Sequence, residues 1–167
     1  MINQKSIIGL IEKKKERFTS LSDRVFDTPE TLFKEYKSVK EHINCLEAEG
    51  FKITKNLCNM PTAVMGETGD KGPVIAFLGE FDALPNLSQI PFITQPSPVI
   101  KNGNGHGCGH NLLGAASLLA ASVVKDWIKL KKINGQIRYY GCPAEEGGAA
   151  KTYMAREGIF KDVDIAI

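Results

Sequence analysis

The sequence predicts an α/β fold, a three-layer sandwich around a mostly parallel central sheet. Pro73-Val74-Ile75-Ala76-Phe77-Leu78 is a continuous apolar run, typical of a strand buried on both faces. Apolar stretches of strand length alternate along the chain with stretches of helical periodicity. Residues 112–124, rich in alanine, follow a glycine-rich loop and read as a central buried helix.

Ile7, Ile8, Ile11 and Phe18 recur at roughly helical spacing, so a first helix is expected over 5–21. Asp27-Thr28-Pro29-Glu30 reads as a helix start, with Asp27 or Thr28 as the cap and Pro29 in the first turn. Leu32, Tyr36, Val39, Ile43 and Leu46 then mark one apolar face, and Gly50 stops that helix. Residues 51–57 and 62–65 read as strands with Pro61 between them, and a turn at 67–72 leads into the buried run. The long irregular stretch over 80–110 is of a kind that is uncommon and usually functional. A helix over 111–131, a strand over 136–140, a short helix near 151–157 ended by Gly158, and a strand beginning at 163–167 complete the chain. It stops inside that last strand, so a truncated domain with an unpaired strand edge is expected.

Hydrophobic residues make up 43% and charged residues 24% of the 167, which fits one domain with a packed core. A net charge of +2 is too small to argue for nucleic acid or an anionic membrane. Lys13, Lys14, Lys15 and Arg17 alternate with Glu12 and Glu16, as on a solvated helix face. No apolar stretch approaches the roughly 20 residues of a membrane span, and Met1 to Ser6 holds no secretion signal, so a cytoplasmic protein is expected. Cys45, Cys58, Cys108 and Cys142 show no CxxC spacing, which argues against a zinc finger or a redox motif.

Three clusters of chemistry-bearing residues each follow an expected strand, where open α/β sheets bind ligands. In Gly79-Glu80-Phe81-Asp82-Ala83-Leu84-Pro85, two acids stand two apart and share a face if extended. In Gly103-Asn104-Gly105-His106-Gly107-Cys108-Gly109-His110-Asn111, every second residue from 103 to 109 is glycine. If extended, His106, Cys108 and His110 project to one side. Thiolate and imidazole suit zinc-like ions, and the glycines allow the backbone to approach closely. Tyr140-Gly141-Cys142-Pro143-Ala144-Glu145-Glu146-Gly147-Gly148 sets two adjacent acids after a buried strand. They are costly there unless paired or cation-bound, and one can bind a cation while the other moves protons. The combination suggests metal-assisted hydrolysis of a carbonyl compound.

Glu-Phe-Asp-Ala-Leu-Pro, Gly-His-Gly-Cys-Gly-His-Asn and Cys-Pro-Ala-Glu-Glu-Gly-Gly, in this order, resemble the aminoacylase and carboxypeptidase family of zinc metallopeptidases. The likeness runs along nearly the whole chain. It implies a phosphorylase/hydrolase-like catalytic domain and two divalent metal ions, Zn or Mn. It further implies that Cys108 bridges the ions, that His110 and Glu146 each bind one, that Glu145 is the general base and that Asp82 orients a metal ligand. Glu80 stands where other branches carry histidine or aspartate and is given no ligand role, and His106 is given a structural or supporting one. His42 is expected to be a surface or core helix residue rather than a ligand, Cys45 and Cys58 are expected to be packing residues, and Cys142 carries no assigned chemistry.

The implied substrate is a small-molecule amide that releases an amino acid, either p-aminobenzoyl-glutamate-like or a dipeptide. Family members are typically more than twice as long, with further histidine ligands and a dimerisation domain. Residues 1–167 are therefore expected to form the amino-terminal part of the catalytic domain. The missing carboxyl-terminal half or a homologous subunit would be the partner, in an oligomer, with no nucleic acid and no membrane. The chain alone is expected to be inactive. The alternative is a non-catalytic metal-binding or interaction remnant.

Overall fold

The computed structural model describes residues 4–167. Helix α1 (Gln4–Phe26) runs a full turn beyond the expected end because Leu21, Ser22 and Val25 continue its buried face. The expected helix start at Asp27-Thr28-Pro29-Glu30 is not one. Leu32 and Phe33 take left-handed backbone angles (φ 50° and 61°), which no helix accommodates, and α2 (Tyr36–Ala48) begins after them. The capping role expected of Asp27 or Thr28 falls to Glu30, whose carboxylate accepts the Lys37 and Ser38 N–H groups at 2.9 Å. Leu32 therefore lies outside the helix and Tyr36 is exposed, so the buried face consists of Ser38, Val39, His42, Cys45 and Leu46. Gly50, at φ +76°, follows the helix end as expected.

Strands β1 (Lys52–Lys55) and β2 (Val64–Thr68) flank a short 3-10 turn at Leu57–Asn59. Then follow β3 (Val74–Glu80), α3 (His110–Lys131), β4 (Gln136–Cys142), α4 (Glu145–Gly148), α5 (Ala150–Arg156) and β5 (Ile165–Ala166). The strands form one sheet in the order β1-β2-β4-β3-β5. Its β4-β3-β5 portion is parallel, and β1 and β2 add an antiparallel flank.

Alternation along β3 and β4 divides the core. Phe77, Ile137 and Tyr139 face α1, α2 and α3, packing with Leu21, Leu46 and Leu118. Ala76, Tyr140 and Cys142 face the other way, onto Leu57, Met60, Ala150 and Met154. Those two faces give the three layers expected from the sequence. His42 is fully buried against Phe81 and Tyr139, and Cys45 is buried, so both are core residues. Among the described residues, no helix is long and apolar enough to cross a membrane.

The register Glu80↔Cys142 builds the crevice at the strand ends. It ends β3 and β4 side by side, so the segments leaving them, with Asp82 on one and Glu145-Glu146 on the other, are neighbours. The helix that returns to the sheet, α3, starts with His110 and is drawn close at Gly114, where a Cβ would lie 2.3 Å from the Glu80 carbonyl oxygen.

Candidate metal centre

The imidazole of His110 is the centre of the site. It is buried, and every acid of the three clusters surrounds it. Asp82 Oδ1 lies 2.9 Å from its Nδ1, and Glu80 Oε2 lies 3.0 Å from its Nε2. Glu146 Oε1 and Glu145 Oε2 stand off at 3.8 and 3.9 Å from the same Nε2. The Asp82 hydrogen bond pushes the His110 pKa up, against the effect of burial.

Asp82 does two things at once. Its other oxygen, Oδ2, accepts the backbone N–H of Glu146 at 3.0 Å, so one buried carboxylate fixes both the imidazole and the acid pair. Burial pushes its carboxyl up, but the His110 bond and the Glu146 N–H outweigh this and hold it below the usual range. Glu80 ion-pairs with Lys151 in the first turn of α5.

The glycine-rich loop does not run extended to its end. Gly109 is left-handed at φ +83°, and the chain turns there into α3. Cys108 is exposed on the site side, and its Sγ falls with donor atoms of His110 and Glu146 within 4.8 Å of one another. His106 does not join them. Its Nε2 lies 3.1 Å from the Val25 carbonyl oxygen, its ring stacks on Phe26, and burial lowers its pKa. The expectation that His106, Cys108 and His110 share one side is therefore corrected: His106 turns toward α1. Cys142, next to the acid pair in sequence, is buried on the other sheet face.

A second donor group joins Glu80, His110 and Glu145, also within 4.8 Å. The sequence pattern gives Glu80 no ligand role and singles out Lys151 in no way. The Glu80–Lys151 contact spans 71 residues, and no local pattern announces it.

The electrostatics fit a bound cation. Four carboxylates face one ammonium, a formal −3 with the imidazole neutral. Acids this close repel unless positive charge is supplied. Glu146 foremost, with Glu145 and Glu80, pushes the Cys108 thiol up, so a thiolate here calls for a cation beside it. Thiolate, imidazole and carboxylate donors together suit zinc-like divalent ions.

The model of peptidase family M20/M25/M40 matches residues 76–167, the stretch that holds all of these groups. The chain belongs to that family. It is 48% identical over 157 residues to one subunit of the p-aminobenzoyl-glutamate hydrolase of Escherichia coli, covering 94% of this chain and 33% of that protein. A solved M20 peptidase of Bacillus subtilis, described as dinuclear metal-binding, superposes with a TM-score of 0.72 at 27% identity. That match covers 91% of this chain and 42% of the other. A solved Staphylococcus aureus protein superposes with a TM-score of 0.78 at 22% identity, over 98% of this chain and 41% of its own, and bears on the fold alone. The M20 chain described here spans about a third of the length of the curated relatives it matches.

Proposed function

We propose that this chain carries part of a cation-dependent amide-hydrolysing centre, acting on an amide that releases an amino acid. The observation that carries the reading is the convergence of Cys108, His110 and Glu146 donor atoms within 4.8 Å of one another. These three would hold divalent ions, Zn²⁺ or Mn²⁺, with Cys108 shared between two. A bound ion would polarise the scissile carbonyl and acidify water at the site.

The chain's own residues have separate tasks. Asp82 accepts from His110 Nδ1 and so leaves Nε2 to face the donor cluster. Lys151 neutralises Glu80, which favours the Cys108 group over the Glu80 group as the place for an ion. Glu145 has the most exposed side chain of the four acids, at 43%, and still reaches to 3.9 Å from Nε2. It is the general base, taking a proton from water and passing it to the leaving nitrogen.

A p-aminobenzoyl-glutamate-like or dipeptide substrate is the reading favoured by the 48% identity to the E. coli hydrolase subunit. Three protein donors are few for two ions, and the longer relatives have room for more. Residues 1–167 are thus the amino-terminal part of a catalytic domain whose other donors come from a further segment or subunit, in an oligomeric enzyme.

The test pairs this chain with the complementary part of the E. coli relative and assays p-aminobenzoyl-glutamate with Zn²⁺ or Mn²⁺. Hydrolysis by the pair, and none by the chain alone, is expected. Turnover by the chain alone would overturn the shared-site reading. If the chain binds the ion but no pairing restores turnover, it is a non-catalytic metal-binding domain.

A further inference from the structure

The connector between α1 and α2, residues 27–35, touches all three segments of the site. The Ala83 N–H, next to Asp82, donates to the Glu30 carbonyl oxygen at 2.7 Å. The Asn104 side-chain amide donates to the Pro29 carbonyl oxygen at 3.1 Å. The Ala144 N–H, one residue before the acid pair, donates to Glu35 Oε1 at 3.0 Å.

The third contact differs in kind from the other two, because a fully buried carboxylate makes it. Glu35 Oε1 also accepts the Phe33 N–H at 3.0 Å, so one oxygen binds the connector to the elbow before Glu145. Ala144 is itself fully buried and left-handed at φ 52°, a conformation disfavoured for a residue with a Cβ. A second contact closes on the same place from the far side of the acids. A Cβ on Gly148 would lie 2.4 Å from the Phe33 ring, and one on Gly147 would lie 3.0 Å from Leu32 Cδ1. Glu145 and Glu146 are thus bracketed, Ala144 by Glu35 and the two glycines by Leu32 and Phe33.

We propose that Glu35 is the positioning residue of the Glu145–Glu146 pair, holding the Ala144 elbow so that both carboxylates face His110. This rests on the proposed roles of those two acids in the hydrolytic centre. A buried carboxylate is an expensive way to satisfy two backbone amides, and the place it fixes is the one where the acids must be aimed. Glu35 bonds the backbone at Phe33 and Ala144 and acts on the acid pair through Ala144.

The test uses the 167-residue chain with Glu35→Ala and Glu35→Gln, read by amide hydrogen exchange and by Zn²⁺ calorimetry. Glutamine keeps an oxygen that accepts both N–H groups, and alanine does not. Glu35→Ala is expected to speed exchange over 144–148 and to weaken Zn²⁺ binding, each by about tenfold, with α3 unchanged; Glu35→Gln should stay within about threefold on both counts. Normal protection of 144–148 in a folded Glu35→Ala chain would overturn the proposal. So would an equal loss of protection in α3, or failure of glutamine to rescue. If Glu35→Ala does not fold, Glu35→Asp, whose carboxylate is one carbon shorter and withdraws from the Ala144 N–H, must raise exchange over 144–148. A wild-type chain that takes up no Zn²⁺ would sink the cation reading, and the exchange data would still decide on Glu35.

Discussion

Two regions of the molecule gather carboxylates around a buried one, Glu49 in the first and Asp82 in the second, and they resolve the repulsion in opposite ways. At the end of α2, Glu49 ion-pairs with Lys14 and Arg17, accepts from the Ser122 hydroxyl, and has Lys125 at 3.7 Å. Asp126 joins at 2.8 Å from Lys14 and 3.2 Å from Lys125. Three cations meet two acids, so each carboxylate has its counter-charge within the protein. Burial pushes the Glu49 carboxyl up, but the Lys14, Ser122 and Arg17 bonds outweigh it and hold it at about 2. At the carboxyl ends of β3 and β4, four acids share Lys151 and an imidazole, and the charge stays open. A closed network ties α1, α2 and α3 together, whereas an open one at a strand-end crevice is a place for an ion.

The contrast can be broken most forcefully at the open cluster. In the reconstituted enzyme, Glu145→Gln should keep the ion and lose about 10³-fold in rate, roughly 4 kcal/mol of barrier. Metal content by emission spectroscopy and steady-state turnover check this, and near-normal rates would place the base elsewhere. At the closed cluster, Glu49→Ala should cost about 3 kcal/mol in urea unfolding, because the part-buried Lys14 and Lys125 lose the buried acid they face and Ser122 loses its acceptor. Losing Glu145 from the open cluster should cost the apo chain far less.

The acid limb of stability sharpens the same comparison. A folded-state carboxyl held at about 2, against an ordinary 4.5, gives Glu49 a stabilising contribution that is complete above about pH 4.5 and lost as the pH falls toward 2. His42 adds an earlier limb. Burial lowers it to about 3 from 6.5, so the unfolded chain binds the extra proton and stability falls between those values, by about 1.4 kcal/mol per pH unit at most. His42→Phe should shrink the limb that begins near pH 6.5, leaving the share of His106, which burial also lowers, and the Glu49 limb. A midpoint-against-pH series measures both.

Smaller effects complete the comparison. Zn²⁺ at 100 times its dissociation constant should stabilise the wild-type chain by about 2.7 kcal/mol, and Cys108→Ala should abolish the gain. Tyr139→Phe, which removes the 2.9 Å bond to His42 Nδ1, should cost about 1 kcal/mol with no change in Zn²⁺ uptake.

The sequence made much of this legible. The run at 73–78 marked β3 because a strand covered on both faces has no polar side to show. Cys108 and His110 stand out as soft donors among alternating glycines, and Glu145–Glu146 as adjacent acids just after a buried strand. Where the reading slipped, distant contacts overrode local rules. Pro29 suggested a helix start, yet Phe33 packs on Gly148 and Glu35 binds Ala144, so the chain there is shaped by residues more than a hundred positions away. His106 looked like a companion of Cys108 until α1 supplied the Val25 carbonyl and Phe26 ring that hold it. Glu35 and Lys151 carry no local signature at all, since an acid or a lysine on a polar stretch reads as solvated until the fold closes over it.

The most direct measurement is the visible and near-ultraviolet spectrum of the chain titrated with Co²⁺, in wild type and in each single cysteine-to-alanine variant. A thiolate-to-cobalt charge-transfer band should appear in wild type, survive in Cys45→Ala, Cys58→Ala and Cys142→Ala, and vanish in Cys108→Ala. A band that persists without Cys108, or that never forms, would contradict a cation site built from Cys108, His110 and Glu146.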